Sequence, residues 1–141
     1  MLSDLRLYEH FIYTLPQRYS LIRNSTLVLI PHGAAFAELA GVLLFAQDIR
    51  LTVWEDIDFD EQVIQGYSYA VSRSEERLYW YDPQPHPHHP ALASTHPHHK
   101  HIPPNIKRNR IPAPGLSFSK PNLVYLIEEI ERELLPGSTQ A

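Results

Sequence analysis

A chain of 141 residues with a net charge of −4 and no cysteine is long enough for one domain with a real core. It is neither a disulfide scaffold, nor a thiolate enzyme, nor an indiscriminate binder of polyanions. Its most apolar segment, residues 39–49, is interrupted by Gly41, Gln47 and Asp48 and falls short of the about 18–20 residues that a membrane helix needs. The N-terminal mixture of Ser3, Asp4, Arg6 and Glu9 does not read as a secretory signal, so a cytoplasmic location without a membrane partner is expected.

The first element predicted is a helix over residues 4–15. Leu5, Tyr8, Phe11, Ile12 and Leu15 recur at three- and four-residue spacing, Ser3 or Asp4 can cap the start, and Pro16 ends it. An antiparallel meander of about five strands is then expected over residues 26–82. Residues 27–30 form a short β-prone run stopped by Pro31-His32-Gly33. A long strand crosses residues 36–45, with Gly41 as a bulge or a point of close approach; its alanine-rich first half also allows a helix. In the third run Leu51, Val53, Glu55 and Ile57 alternate with Thr52, Trp54 and Asp56, and in the fourth Tyr67, Tyr69 and Val71 share a side. Ser74-Glu75-Glu76 reads as a hairpin turn into the run 78–81. The acids Glu55, Asp56, Asp58, Asp60 and Glu61 do not follow the calcium-loop pattern and read as a solvated turn. The aromatics Tyr67, Tyr69, Tyr79, Trp80 and Tyr81 read as cross-strand sheet stabilisers rather than a base-stacking platform.

Residues 83–119 are expected to be the functional loop. Seven of the nine histidines fall there (His86, His88, His89, His96, His98, His99 and His101), with prolines at 83, 85, 87, 90, 97, 103 and 104 that oppose helices and central strands. Between residues 83 and 121 there is no acid, while Lys100, Lys107, Arg108, Arg110 and Lys120 are basic. A basic tract on an acidic body suits an anion such as phosphate, although a basic loop held against the protein's own acids gives the same pattern. A closing helix is predicted over residues 120–135. Pro121 sits in its first turn, Leu123, Leu126, Ile127, Ile130 and Leu134 form an apolar stripe, and Glu128, Glu129, Glu131, Arg132 and Glu133 take the polar side.

Three chemistries fit the tract. Two imidazoles can divide proton transfer in metal-independent RNA cleavage, one deprotonating a ribose 2′-OH and the other protonating the leaving 5′-oxygen, with a cation on the phosphorane. The acid/base candidates are His88, His89, His98, His99 and His101, with Asp82 orienting an imidazole; Lys100, Lys107, Arg108 and Arg110 are the phosphate-binding candidates. No resident cofactor is expected. In a non-catalytic alternative the loop is a nucleic-acid- or metal-binding module, with His88, His98 and His101 as ligands and adventitious zinc or nickel as occupants. In the third, the histidines hydrogen-bond the backbone of a rigid loop.

The order Tyr81-Asp82, His88-His89-Pro90-Ala91-Leu92, Pro97-His98-His99-Lys100-His101 resembles the TumE-like toxins of bacterial toxin–antitoxin systems. The resemblance extends upstream to Ser25-Thr-Leu-Val-Leu-Ile30, the long strand through Gly41 and the Tyr-rich fourth strand, and downstream to the acidic closing helix. The link from Asp82 to His88 is longer and richer in proline than the usual one, and His86 is an addition. The resemblance implies a single α+β toxin-like domain over residues 1–141. It also implies a partner, a separately encoded antitoxin of the helix-turn-helix type, that would cover the tract. RNA as the substrate is read from the residues rather than from the resemblance.

Overall fold

The computed structural model describes residues 1–83, 97–106 and 109–137. The order is α1 (Leu5–Tyr13), α2 (Leu15–Arg18), β1 (Ile22–Ser25), β2 (Val28–His32), β3 (Phe36–Phe45), β4 (Ile49–Asp58), β5 (Val63–Arg73), β6 (Glu76–Asp82), β7 (His99–His101), β8 (Arg110–Pro112) and α3 (Leu123–Glu133). The fold is α+β, as expected, but its antiparallel sheet has eight strands among the described residues rather than about five. Its order is β1-β3-β4-β5-β6-β7-β8, with β2 also on β3.

Each difference from the expected elements has a local cause. The chain does not leave helix at Pro16. The Asp4 side chain caps α1 by accepting from the Arg6 amide at 2.8 Å, and Pro16 then lies in the first turn of α2, where its missing N–H does no harm. Strand β1 carries only one buried residue, Ile22, too little for an alternation to show. Strands β7 and β8 lie within the span read as loop. Pro112 is compatible with β8, the last strand of the order, because an edge strand leaves some N–H positions without a ladder partner.

Gly41 organises the left side of the sheet. A Cβ there would meet the Thr26 carbonyl oxygen at 2.6 Å and Leu27 Cα at 2.8 Å, and its φ of +144° suits glycine. At that point the neighbour of β3 changes from β2 to β1. Thr26 bridges the gap, its amide donating to the Val42 carbonyl at 2.9 Å while its hydroxyl accepts from the Val42 amide at 2.9 Å.

The two faces of the sheet differ. Leu51, Val53, Glu55 and Ile57 of β4 are buried, with Tyr67, Tyr69 and Val71 of β5 and Tyr79 and Tyr81 of β6. Helices α1 and α3 pack on this inner face through Tyr8, Phe11 and Ile12 and through Leu123, Leu126, Ile127 and Ile130, the stripes that helical spacing marked out. On the outer face of β4, Arg50, Thr52 and Trp54 are exposed. Glu55 is therefore not part of a solvated turn: it is fully buried, on the apolar side of its own alternation. Glu129 is not on the polar side of α3 either; it too is buried.

Candidate functional site

Strand pairing assembles the site. Residues directly opposite in an antiparallel pair point to the same face, and β6 pairs with β7 as Trp80↔His101, Tyr81↔Lys100 and Asp82↔His99. Asp82, His99, His101 and Trp80 thus share the outer face, and the pairing His101↔Arg110 adds Arg110 from β8. Lys100 and Tyr81 face inward.

Three of these side chains converge. His99 Nε2 lies 2.5 Å from Asp82 Oδ1, and His101 Nε2 lies 3.3 Å from Asp82 Oδ2. The imidazoles meet edge to face at 5.0 Å between centroids. His99 and His101 have side chains 0% and 3% exposed, whereas Asp82 is 20% exposed and forms the open side of the group. Trp80 packs on His101 at 4.3 Å and sends its indole N–H to Asp82 Oδ2 at 3.3 Å.

The protonation pattern follows from the partners. Burial pushes the Asp82 carboxyl up, but the His101 hydrogen bond, the charges of His99 and His101 and the indole outweigh it, so it sits below its ordinary value. An ionised carboxylate can only accept, so His99 Nε2 carries the proton in its contact with Asp82. His101 differs. Its Nδ1 is 3.0 Å from the Ile106 carbonyl, an acceptor, and 3.4 Å from Arg110 Nε, a donor. One nitrogen cannot serve both, and the shorter contact assigns the proton to Nδ1. Nε2, 3.3 Å from Asp82 Oδ2, is then the nitrogen whose proton completes a bond to the carboxylate when the ring is charged and whose lone pair is exposed to a proton when it is neutral.

The other predicted residues fall elsewhere. His98 is on the inner side, its Nδ1 2.6 Å from the Tyr67 hydroxyl and its ring against Tyr67 and Phe118. Lys100 Nζ lies 3.3 Å from Glu129 and 4.2 Å from the Tyr79 ring centroid. His98 and Lys100 are thus turned away from the Asp82 group, so of the expected ligand set His88, His98 and His101, His98 lies on the opposite face from His101, and His88 lies outside the described residues. His86, His88, His89, His96, Lys107 and Arg108 lie outside the described residues. Sequence reading took all the clustered histidines together; a strand's two-residue period, applied to 99–101, separates the pair His99/His101 from Lys100.

A second polar group lies beneath the inner face. Glu55 accepts from the Tyr8 hydroxyl and from the Tyr69 hydroxyl at 2.5 Å, and Asn122 Nδ2 donates to Tyr69 at 3.0 Å. Burial lifts the Glu55 carboxyl to about 7 against the pull of the Tyr69 and Tyr8 bonds. The Tyr81 hydroxyl donates to Glu129 at 2.7 Å. Burial, and then the Glu129 carboxylate, raises Tyr81. These groups tie α1 and α3 to the sheet and were not singled out from the sequence.

The family model described as Toxin TumE matches residues 15–134. No curated protein and no solved structure matches the chain.

Proposed function

The chain belongs to the TumE toxin family, a role that implies a cognate antitoxin, and we propose that it acts by cleaving RNA at the group formed by Asp82, His99 and His101. The observation that carries this reading is two buried imidazole nitrogens directed at one anion. His99 Nε2 lies 2.5 Å from Asp82 Oδ1 and His101 Nε2 3.3 Å from Oδ2, and the Ile106 carbonyl at His101 Nδ1 orients that ring to present Nε2 as a base.

Cleavage of RNA through its 2′-OH needs such a pair. His101 Nε2 removes the 2′-OH proton while the Ile106 carbonyl holds its Nδ1–H. His99 Nε2 gives its proton to the departing 5′-oxygen. Asp82 is a positioning residue that keeps both rings aimed while the site is empty. As the most exposed member, it rotates aside when a phosphate takes its place between the rings. Arg110, half-buried beside His101, supplies fixed positive charge for the phosphorane. Lys100 is paired with Glu129 and takes no part.

The antitoxin in this reading is a separately encoded helix-turn-helix protein that covers the outer face around Asp82 and Arg110, and the toxin acts in the cytoplasm. A toxin–antitoxin complex that leaves Asp82 and Arg110 exposed overturns that arrangement.

The experiment incubates purified protein with single-stranded RNA in the presence of a chelator and identifies the new ends. Products with a 2′,3′-cyclic phosphate and a 5′-hydroxyl, lost in folded His99→Ala and His101→Ala proteins, support the reading. Intact RNA with a wild-type protein that still arrests bacterial growth overturns it.

A further inference from the structure

The environment of His101 is also that of a metal ligand. We propose that Asp82, His99 and His101 form a binding site for one divalent transition-metal ion of the zinc or cobalt class. The inference stands on geometry alone and holds whether or not the chain cleaves RNA.

Three observations carry it. One ligand atom from each of the three residues can be chosen so that all lie within 4.8 Å of one another, and both histidines are buried. A tetrahedral ion at about 2.0–2.1 Å from its ligands sets them about 3.3 Å apart, which is the His101 Nε2–Asp82 Oδ2 separation of 3.3 Å. The His99 Nε2–Asp82 Oδ1 separation of 2.5 Å is shorter. It opens on loss of the Nε2 proton and a turn of the Asp82 carboxylate, the one partly exposed member. The third observation is the His101 Nδ1 contact with the Ile106 carbonyl at 3.0 Å. A metal-binding imidazole is held in the same way, its second nitrogen donating to a carbonyl so that the first presents a lone pair. Around that lone pair the described residues provide Asp82 and no completed hydrogen bond.

The donor set selects the ion. Two imidazoles and one carboxylate suit zinc, cobalt, nickel or ferrous iron and disfavour magnesium and calcium, which take oxygen ligands. Three protein ligands leave at least one coordination position for an exogenous group. Metal binding takes the lone pairs that proton transfer would use, so metal occupancy and acid/base activity exclude one another at this site.

The test must separate this site from the other histidines of the tract. Cobalt(II) is titrated into the chain carrying His86→Ala, His88→Ala, His89→Ala and His96→Ala together, and visible absorption is followed. One equivalent is expected to bind and to be displaced by zinc. Adding His101→Ala, or separately Asp82→Asn, is expected to lower the affinity at least roughly a hundredfold. Zinc at a hundredfold excess over the parent's Kd should raise the Tm of the parent by about 9 °C and that of the Asp82→Asn protein by no more than about 1 °C. Failure of the parent to bind, or binding unchanged by Asp82→Asn, overturns the site. If His101→Ala does not fold, Asp82→Asn, which keeps the side-chain volume, decides the matter alone.

Discussion

The sheet holds a buried or part-buried carboxylate on each of its faces, and the two have been given different company. On the inner face Glu55 is surrounded by the hydroxyls of Tyr8 and Tyr69. On the outer face Asp82 meets His99 and His101. Phenols keep their protons through the physiological range, all the more so when burial raises them as it does here, so the hydroxyls around Glu55 serve as hydrogen-bond partners and not as bases. Imidazoles exchange protons near neutrality, so the outer group has chemistry available. The difference teaches that burial of an acid does not itself mark a site; the titration range of its partners does.

The comparison breaks most sharply in activity. His101→Ala and His99→Ala should each reduce RNA cleavage by about a hundredfold or more, the usual contribution of a general acid or base, and relieve growth arrest while circular dichroism stays native. Tyr69→Phe should leave the rate per folded molecule unchanged. An equal loss of cleavage from both kinds of variant would erase the distinction between the faces.

Stability should show the reverse order. Glu55→Ala removes the acceptor of two buried hydroxyls and opens a cavity, and is expected to cost about 3–5 kcal/mol in urea unfolding. A cost below about 1 kcal/mol would mean that the inner group is not structural.

The two acids also predict opposite pH slopes. Folded Glu55 keeps its proton to about pH 7, whereas the unfolded chain releases it near about 4.3. Between those values the folded state binds more protons, so this contribution to stability falls as pH rises from about 4.3 to about 7, by at most about 4 kcal/mol. Asp82 is lowered in the folded state, so its contribution is present above about pH 3.9 and is lost as pH falls through its folded value. Glu55→Gln should flatten the first slope, and Asp82→Asn the second, in denaturation curves taken from pH 3 to 8 in steps of about half a unit. Exchange of the two effects would contradict the assignment.

The smallest effects belong to residues of the motif that turn inward. Lys100→Ala should cost about 1–2 kcal/mol, since Glu129 keeps its Tyr81 bond, and His98→Ala about 1 kcal/mol for the Tyr67 contact. Both should leave RNA cleavage within about threefold of wild type. A hundredfold loss of cleavage with Lys100→Ala would restore the phosphate-binding role that its place in the sequence suggested.

How much of this was legible in the sequence depended on signal length. The strands from Phe36 to Asp82 are long enough, up to 11 residues in β5, for alternation to declare itself, and α3 showed a full apolar stripe. Strands β7 and β8 have three residues each, less than two periods of alternation, and prolines around them argued for loop. They form because β6 offers a paired edge, which is tertiary information. The burial of Glu55 was readable in its alternation with Leu51, Val53 and Ile57, yet four neighbouring acids drew it into a solvated turn. Glu129 lies three residues after Leu126, close to the stripe, but nothing local announced Tyr81 as its partner. The site was legible as a tract and not as a geometry, because only the strand pairing brings Asp82 across from His99.

The pairing of β7 with β6 has a consequence for error. Every second residue of a strand faces the same way, so moving β7 along β6 by one residue would bring Lys100 to the Asp82 side and turn both imidazoles toward Tyr81 and Glu129. No intermediate alignment exists between these arrangements. The site is therefore digital: a molecule has the two histidines on its acid or it has neither, and a population of imperfectly assembled chains would behave as a mixture of competent and inert copies.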